Sequence, residues 1–78
     1  MSDVADQIVS LVAQKENGPE VSKITMTANL IETLGYSSLD MVEFKIRVED
    51  AFSIGIDEAT AVRLNTVGDW INYVAARV

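Results

Sequence analysis

Apolar residues near the start of the chain recur at the spacing of an amphipathic helix. They fall at positions i, i+4, i+7 and i+8, and they are Val4, Ile8, Leu11 and Val12. Residues at this spacing share one face of a helix, so the pattern predicts a helix that buries this face. We expect Ser2 to cap it. The Asn-Gly-Pro sequence at 17–19 is unable to continue a helix and predicts its end.

The connection from residue 19 to residue 37 shows no sustained hydrophobic period. Its apolar residues are spaced out along the segment, so we expect the connection to pack over the core. A short helical turn fits between Thr27 and Thr33. Gly35 predicts a turn before the next helix, because glycine readily adopts the left-handed backbone found at such points.

The second helix, predicted from Ser37 or Ser38 to Phe52, has apolar residues on two opposite faces. At about 100° per residue, one stripe consists of Met41, Phe44, Val48 and Phe52. The opposite stripe consists of Leu39, Val42 and Ile46. The first stripe is the predicted core face.

The second stripe is bordered by carboxylates, namely Asp40, Glu43, Glu49 and Asp50. An apolar stripe with an acidic border is typical of a surface that docks a basic partner. A central helix sandwiched in a bundle would instead bury both stripes, and the spacing alone leaves both readings open. Lys45 and Arg47 interrupt the acidic field. They are expected to pair with Glu49 and Glu43 respectively, with the alternatives of pairing with neighbours three positions away or of tuning partner choice.

Two further helices follow. The segment from residue 56 to residue 64 predicts one or two helical turns that begin at Asp57 and Glu58. Thr66 and Asp69 have the spacing of a capping box and predict the start of the last helix. The apolar positions of that helix are Val67, Trp70, Ile71, Val74 and Val78. No strand pattern occurs, so the sequence predicts an all-α bundle of three main helices and a short one.

The composition excludes several classes of function. The 78 residues suit one domain spanning 1–78, and a net charge of −6 disfavours binding to nucleic acid or anionic membranes. Without cysteine or histidine, the chain has no thiolate nucleophile, zinc-thiolate site or Ser-His-Asp triad. We therefore expect neither an enzyme nor a metal site. The acidic N-terminus does not resemble a secretory signal, and we expect a mature, monomeric cytoplasmic protein.

Two adjacent serines stand at the start of the second helix. Ser37 suits the N-cap, with Asp40 at the third helical position to complete a capping box. Ser38 would then be the first helical residue, with its hydroxyl exposed at a helix end that favours an attached phosphate. In the alternative arrangement, Ser38 is the cap and Ser37 belongs to the loop.

The sequence LGYSSLDMVEF, residues 34–44, resembles the modification motif of acyl carrier proteins and related peptidyl carriers. That motif has a Leu-Gly turn, a variable residue, and then Asp-Ser-Leu opening the second helix. Phe52, Ile54 and Ile56 resemble the family's stretch after this helix, and TVGDWINYV at 66–74 resembles its closing helix. The order and spacing of these pieces extend the resemblance over nearly the whole chain.

The resemblance implies a four-helix carrier bundle with a short third helix. It implies that a phosphopantetheinyl transferase attaches 4′-phosphopantetheine from coenzyme A to Ser38, and that acyl groups are held on this arm as thioesters. Acyl-loading and acyl-processing enzymes with basic patches would dock on the second stripe and its carboxylates. The alternatives are an aminoacyl or peptidyl carrier, and an acidic helical interaction module that is never modified.

Five residues refine this expectation. Ser37 stands where most fatty-acid carriers have Asp, which together with Lys45 and Arg47 favours a carrier dedicated to a specialised lipid or polyketide pathway. Met41 is expected in the core, with lining of an acyl-chain cavity as the alternative. Phe44 is expected to face such a cavity and to restrict it to short or polar cargo.

Overall fold

A computed structural model of the protein describes residues 3–15 and 18–78. Its α-helices are α1 (Val4–Ala13), α2 (Ser38–Phe52), α3 (Glu58–Ala61) and α4 (Val67–Ala75). A 3₁₀ turn at Val21–Lys23, which the sequence pattern did not indicate, lies in the long connection. The described residues contain no strand beyond one isolated bridge between Asn29 and Thr66. The predicted all-α bundle with a short third helix is confirmed.

Each α-helix begins at a side-chain cap. Asp3 caps α1 by accepting a hydrogen bond from the Asp6 amide at 2.9 Å. The predicted cap, Ser2, lies outside the described residues, as do residues 16 and 17. Asp57 caps α3, and Thr66 forms the predicted capping box with Asp69 at the start of α4. These local interactions fix where the helices start.

The core lies between α1, α2 and α4. Its largest fully buried side chains include Ile8 from α1, Leu30 from the connection, and Phe44 and Trp70 from α2 and α4. The rings of Phe44 and Trp70 meet edge to face, with their centroids 4.8 Å apart. Val78, predicted on the apolar stripe of the last helix, is 63% exposed because α4 ends at Ala75.

The long connection packs over the core, as predicted, and its backbone pairs with the start of α4. The amides of Val67 and Gly68 donate to the carbonyls of Ala28 and Met26, at 3.0 and 2.8 Å. The first amides of an α-helix have no partner within the helix. Here the connection supplies acceptors for two of them and fixes the position of α4.

A helical turn follows within the connection. The Asn29 side-chain oxygen accepts hydrogen bonds from the amides of Ile31 and Glu32, and the Thr33 amide donates to the Asn29 carbonyl at 2.8 Å. The turn predicted between Thr27 and Thr33 is therefore present. Gly35 then has φ of 75°, the left-handed conformation expected of a glycine before the next helix.

Gly68 is required by the close approach of the connection to α4. A Cβ atom at this position would lie 2.9 Å from the Met26 carbonyl oxygen, which is backbone and cannot rotate away. We expect Gly68→Ala to lower the free energy of unfolding by about 1–3 kcal/mol, despite alanine's better helix propensity. Denaturant unfolding followed by circular dichroism measures this change.

Gly55→Ala is the matched control. No atom lies within 4 Å of the Cβ position of Gly55, and its backbone is outside the left-handed region. The control should leave stability unchanged or raise it by up to about 1 kcal/mol. Equal stabilities for the two variants would show that the connection does not hold α4 as closely as described.

Candidate functional site

Ser37 is the cap of α2. Its backbone is extended, with φ of −85° and ψ of 173°, and its hydroxyl oxygen accepts a hydrogen bond from the Asp40 amide at 3.1 Å. In return, the Ser37 amide donates to the Asp40 carboxylate at 2.9 Å. The predicted capping box is confirmed, and the alternative in which Ser38 caps the helix is wrong. The hydrogen bond from the Ser37 amide holds the pKa of Asp40 below its usual range.

Ser38 is the first residue of α2, and it is exposed. Its hydroxyl takes no part in the capping box. Within the described residues, the amides of Ser38 and Leu39 make no backbone hydrogen bond, because the first bond of the helix runs from Met41 to the Ser37 carbonyl. An exposed hydroxyl next to two open amides at the positive end of a helix suits a phosphate ester.

A groove of about 340 Å³ adjoins Ser38 and lies between α2 and α3. The α2 wall presents one helical face, formed by Ser38, Met41, Val42 and Lys45. Ala61 and Val62 contribute to the α3 wall, and Trp70 of α4 also lines the groove. Most of the lining side chains are apolar, so the groove suits an aliphatic group more than a charged one.

Met41 lines this groove and also packs, half-buried, against the core. The expected core packing of Met41 is confirmed, and the groove that it lines is the candidate for the acyl-chain cavity of the alternative reading. Phe44, expected to narrow the cavity, is not among the groove residues and is fully buried between Tyr36 and Trp70. At about 100° per residue, it lies about 110° around α2 from the groove face. The expectation that Phe44 restricts cargo size is wrong.

Comparison with known families decides the class of the chain. A family model described as a phosphopantetheine attachment site matches residues 6–74, which is most of the chain. The chain belongs to this family. The protein is therefore a carrier and not an enzyme, and its cofactor is 4′-phosphopantetheine. Carriers of this family interact with phosphopantetheinyl transferases and with partner enzymes.

Tyr36 anchors the serine pair of the carrier to the rest of the fold. It is 2% exposed, its hydroxyl donates a hydrogen bond to the Val12 carbonyl near the end of α1, and its ring meets the edge of Phe44. Burial raises the pKa of Tyr36 to about 12, although Arg47 opposes the rise. The phenol thus stays a neutral donor at ordinary pH.

Sequence reasoning missed this role, since Tyr36 fills a position that is variable in the motif. The signal that could have found it is a large aromatic side chain directly after a left-handed glycine. Lys15, which follows α1, makes further contacts with this region. Its ammonium lies 3.7 Å from the Asp40 carboxylate and 5.9 Å from the centre of the Tyr36 ring. Both contacts hold the start of α2 against α1.

The second apolar stripe of α2 faces solvent. Leu39 is 66% exposed, Val42 is 48% exposed and Ile46 is 49% exposed. The arrangement in which a sandwiched α2 buries both stripes is therefore wrong. Glu43 and Asp50 are also exposed, so the carrier presents aliphatic and acidic side chains on this helix.

The other two carboxylates predicted at this surface are engaged within the chain. Asp40 belongs to the capping box, while Glu49 accepts a hydrogen bond from the Ile56 amide at 2.8 Å and pairs with Lys45 at 3.7 Å. The Lys45–Glu49 pair is confirmed. The ion pairs between described residues do not include Arg47 with Glu43, so that prediction is wrong.

No helix in the described ranges is long and apolar enough to cross a membrane.

The two serines should differ sharply in their effect on stability. Ser37→Ala removes the acceptor of the Asp40 amide, so we expect the free energy of unfolding to fall by about 0.5–2 kcal/mol. Ser38→Ala removes an exposed hydroxyl outside the box and should change it by less than about 0.5 kcal/mol. Urea unfolding of the unmodified carrier measures the free energy of unfolding of both variants. The reverse order would mean that Ser38 is the cap.

Proposed function

We propose that Ser38 is the residue that carries 4′-phosphopantetheine, and that the protein is a discrete acyl carrier of a specialised lipid or polyketide pathway. The observation that supports this best is the position of the Ser38 hydroxyl. It is exposed, it is free of the cap that Ser37 provides, and it borders an apolar groove. When bound, the arm supplies a thiol that holds acyl groups as thioesters.

The Ser38 hydroxyl is the group of this chain that reacts in the attachment step. The Ser38 oxygen forms a bond to the phosphorus of coenzyme A that bears the pantetheine, and the bond between the two phosphates breaks. Adenosine 3′,5′-bisphosphate leaves, and the hydroxyl proton passes to a base on the transferase. The open amides of Ser38 and Leu39 then lie near the phosphodiester, whose negative charge the helix dipole favours.

The groove supports an acyl cargo over an aminoacyl or peptidyl one. An aminoacyl group brings an ammonium and a peptidyl group brings unpaired amides, and burying either against aliphatic walls is unfavourable. Ser37 at the position before the modified serine, with Lys45 and Arg47 on α2, supports a dedicated carrier rather than a general fatty-acid carrier. We further propose that it acts as a monomer in the cytoplasm.

We propose that partner enzymes dock on the exposed stripe of Leu39, Val42 and Ile46. Exposed aliphatic side chains provide the apolar anchors of an interface, and carboxylates around them steer a basic partner. Glu43 and Asp50 present open carboxylates. Asp40 and Glu49 belong to the same surface and add charge to its field, although their oxygens also hold the α2 cap and the loop after α2.

Intact mass spectrometry tests the attachment residue. The wild type, incubated with a broad-specificity phosphopantetheinyl transferase, magnesium and coenzyme A, should gain the mass of one phosphopantetheine. Ser38→Ala should gain none, because it lacks the oxygen that forms the bond. Ser37→Ala is the matched control and should still be modified. Modification of Ser38→Ala, or its loss in Ser37→Ala alone, would contradict the assignment.

The docking surface is tested by placing a charge on its apolar stripe. Ile46→Glu should lower the rate of modification by the transferase about tenfold, which corresponds to about 1.4 kcal/mol, while the melting temperature stays within a few degrees of the wild type. Val21→Glu is the control, since Val21 is 55% exposed and belongs to the 3₁₀ turn of the connection instead of α2. Equal modification rates for the two variants would show that Ile46 is not part of the docking surface.

A further inference from the structure

The two basic side chains of α2 are engaged differently. Lys45 pairs with Glu49 at 3.7 Å. Arg47 is half-buried, and within the described ranges its guanidinium makes neither an ion pair nor a hydrogen bond. Glu43 and Asp50 stand at the helical spacings that favour pairing with Arg47, and both are exposed. Arg47 pairs with neither, so its five N–H donors are available to a group on another molecule.

The surroundings of Arg47 do not neutralise its charge. Burial raises the pKa of Tyr36, and the nearby charge of Arg47 partly opposes that rise. The phenol is therefore neutral at ordinary pH, and its hydroxyl already donates to the Val12 carbonyl. A neutral group whose proton is engaged elsewhere provides no counter-charge. The positive charge of Arg47 therefore contributes to the field that a docked protein meets.

Arg47 lies on the opposite side of α2 from the groove. At about 100° per residue, it is about 180° around the helix axis from Ser38. The helical rise separates the two residues by about 13 Å along the axis. Its guanidinium is therefore out of reach of a phosphate on Ser38, and the attached arm does not supply its partner.

A protein docked on α2 meets three bands of side chains in a fixed order around the axis. The exposed aliphatic stripe comes first, the carboxylates of Glu43 and Asp50 come next, and Arg47 follows them. A docking patch made only of lysine and arginine would bring a like charge close to Arg47, and the two would repel. A carboxylate at that point would instead accept charge-assisted hydrogen bonds from the planar guanidinium.

We propose that Arg47 determines which partner enzymes the carrier accepts, and that its partner presents a carboxylate to Arg47 beside basic side chains for Glu43 and Asp50. The proposal rests on docking at the exposed stripe of α2. Specificity of this kind combines an attractive contact with a repulsive one, because Arg47 also disfavours partners whose patch is wholly basic. A nucleic acid does not fit this surface, since the carboxylates next to Arg47 repel phosphates.

Reversing the charge of Arg47 tests the repulsive half of the proposal. The probe is a phosphopantetheinyl transferase whose carrier-docking surface is basic, and intact mass gives the rate of modification. Arg47→Glu should raise kcat/KM about threefold over the control, through a lower KM, and Arg47→Gln should give a smaller rise. The control is Lys23→Glu, which makes the same change in net charge on an exposed residue of the 3₁₀ turn. The difference should disappear in about 1 M salt.

Reversing charges on the transferase tests the attractive half. Single Lys→Glu and Arg→Glu variants of its docking patch are each assayed with wild-type carrier and with Arg47→Glu. At the position that faces Arg47, the reversal should make the transferase prefer the wild type about threefold. A double-mutant cycle isolates this pairwise interaction from changes in overall charge.

Two results would overturn the proposal. One is an equal kcat/KM for Arg47→Glu and Lys23→Glu, and the other is a patch in which no reversal favours the wild-type carrier. Where Arg47→Glu lowers the melting temperature, Arg47→Gln replaces it in both comparisons, because it removes the charge without adding a carboxylate. Failure of the proposed function is seen separately. Ile46→Glu without effect on the rate contradicts the docking surface itself, and an unchanged intact mass contradicts attachment.

Discussion

The edge-to-face contact between Phe44 and Trp70 is the interaction on which the rest of the structure depends. It joins α2 to α4 at the centre of the core, with ring centroids 4.8 Å apart. On one side, Phe44 supports Tyr36, whose hydroxyl reaches α1 and whose backbone leads into the serine pair. On the other side, Trp70 contributes to the lining of the groove beside Ser38. One aromatic row thus lies behind both the serine pair and the groove.

The serine pair separates two tasks that a single residue would have to combine. A capping hydroxyl must point back at the backbone of its own helix, whereas a nucleophilic hydroxyl must point outward to another protein. Ser37 does the first through its reciprocal bonds with Asp40, and this leaves the Ser38 oxygen outside the cap. The start of α2 therefore does not depend on the Ser38 hydroxyl.

Local features of the fold could be predicted from the sequence. The cap at Thr66 and the two stripes of α2 depend on neighbours within four residues, so spacing alone identifies them. Spacing left Ser37 and Ser38 as alternative caps of α2. The exposure of the second stripe could not be predicted, because it depends on which helices pack against α2. The same dependence on packing explains why the prediction that Phe44 narrows the cavity is wrong. Helical spacing placed it on the core side, but only the packing of α3 and α4 decides which part of that side is left open.

Two parts of the site depend on contacts between distant segments and had no local signal. Tyr36 bonds to a carbonyl 24 positions earlier in the chain. The groove draws its lining from α2, α3 and α4 and from the connection before α2. The family resemblance supplied the role of Ser38, which composition and periodicity alone had left between a cap and a modified residue. Neither source indicated that Trp70 contributes to the lining of the groove.

The pairing of the connection with the start of α4 has a consequence for how the chain folds. The amide of Val67 bonds to the carbonyl of Ala28, about forty positions earlier in the sequence. Two of the first amides of α4 therefore gain partners only after a long loop has closed, and closing it costs chain entropy before the bonds form. A helical protein is usually rich in contacts between near neighbours and folds fast. Here the last helix depends on a long-range contact, so its docking is tied to the ordering of the connection.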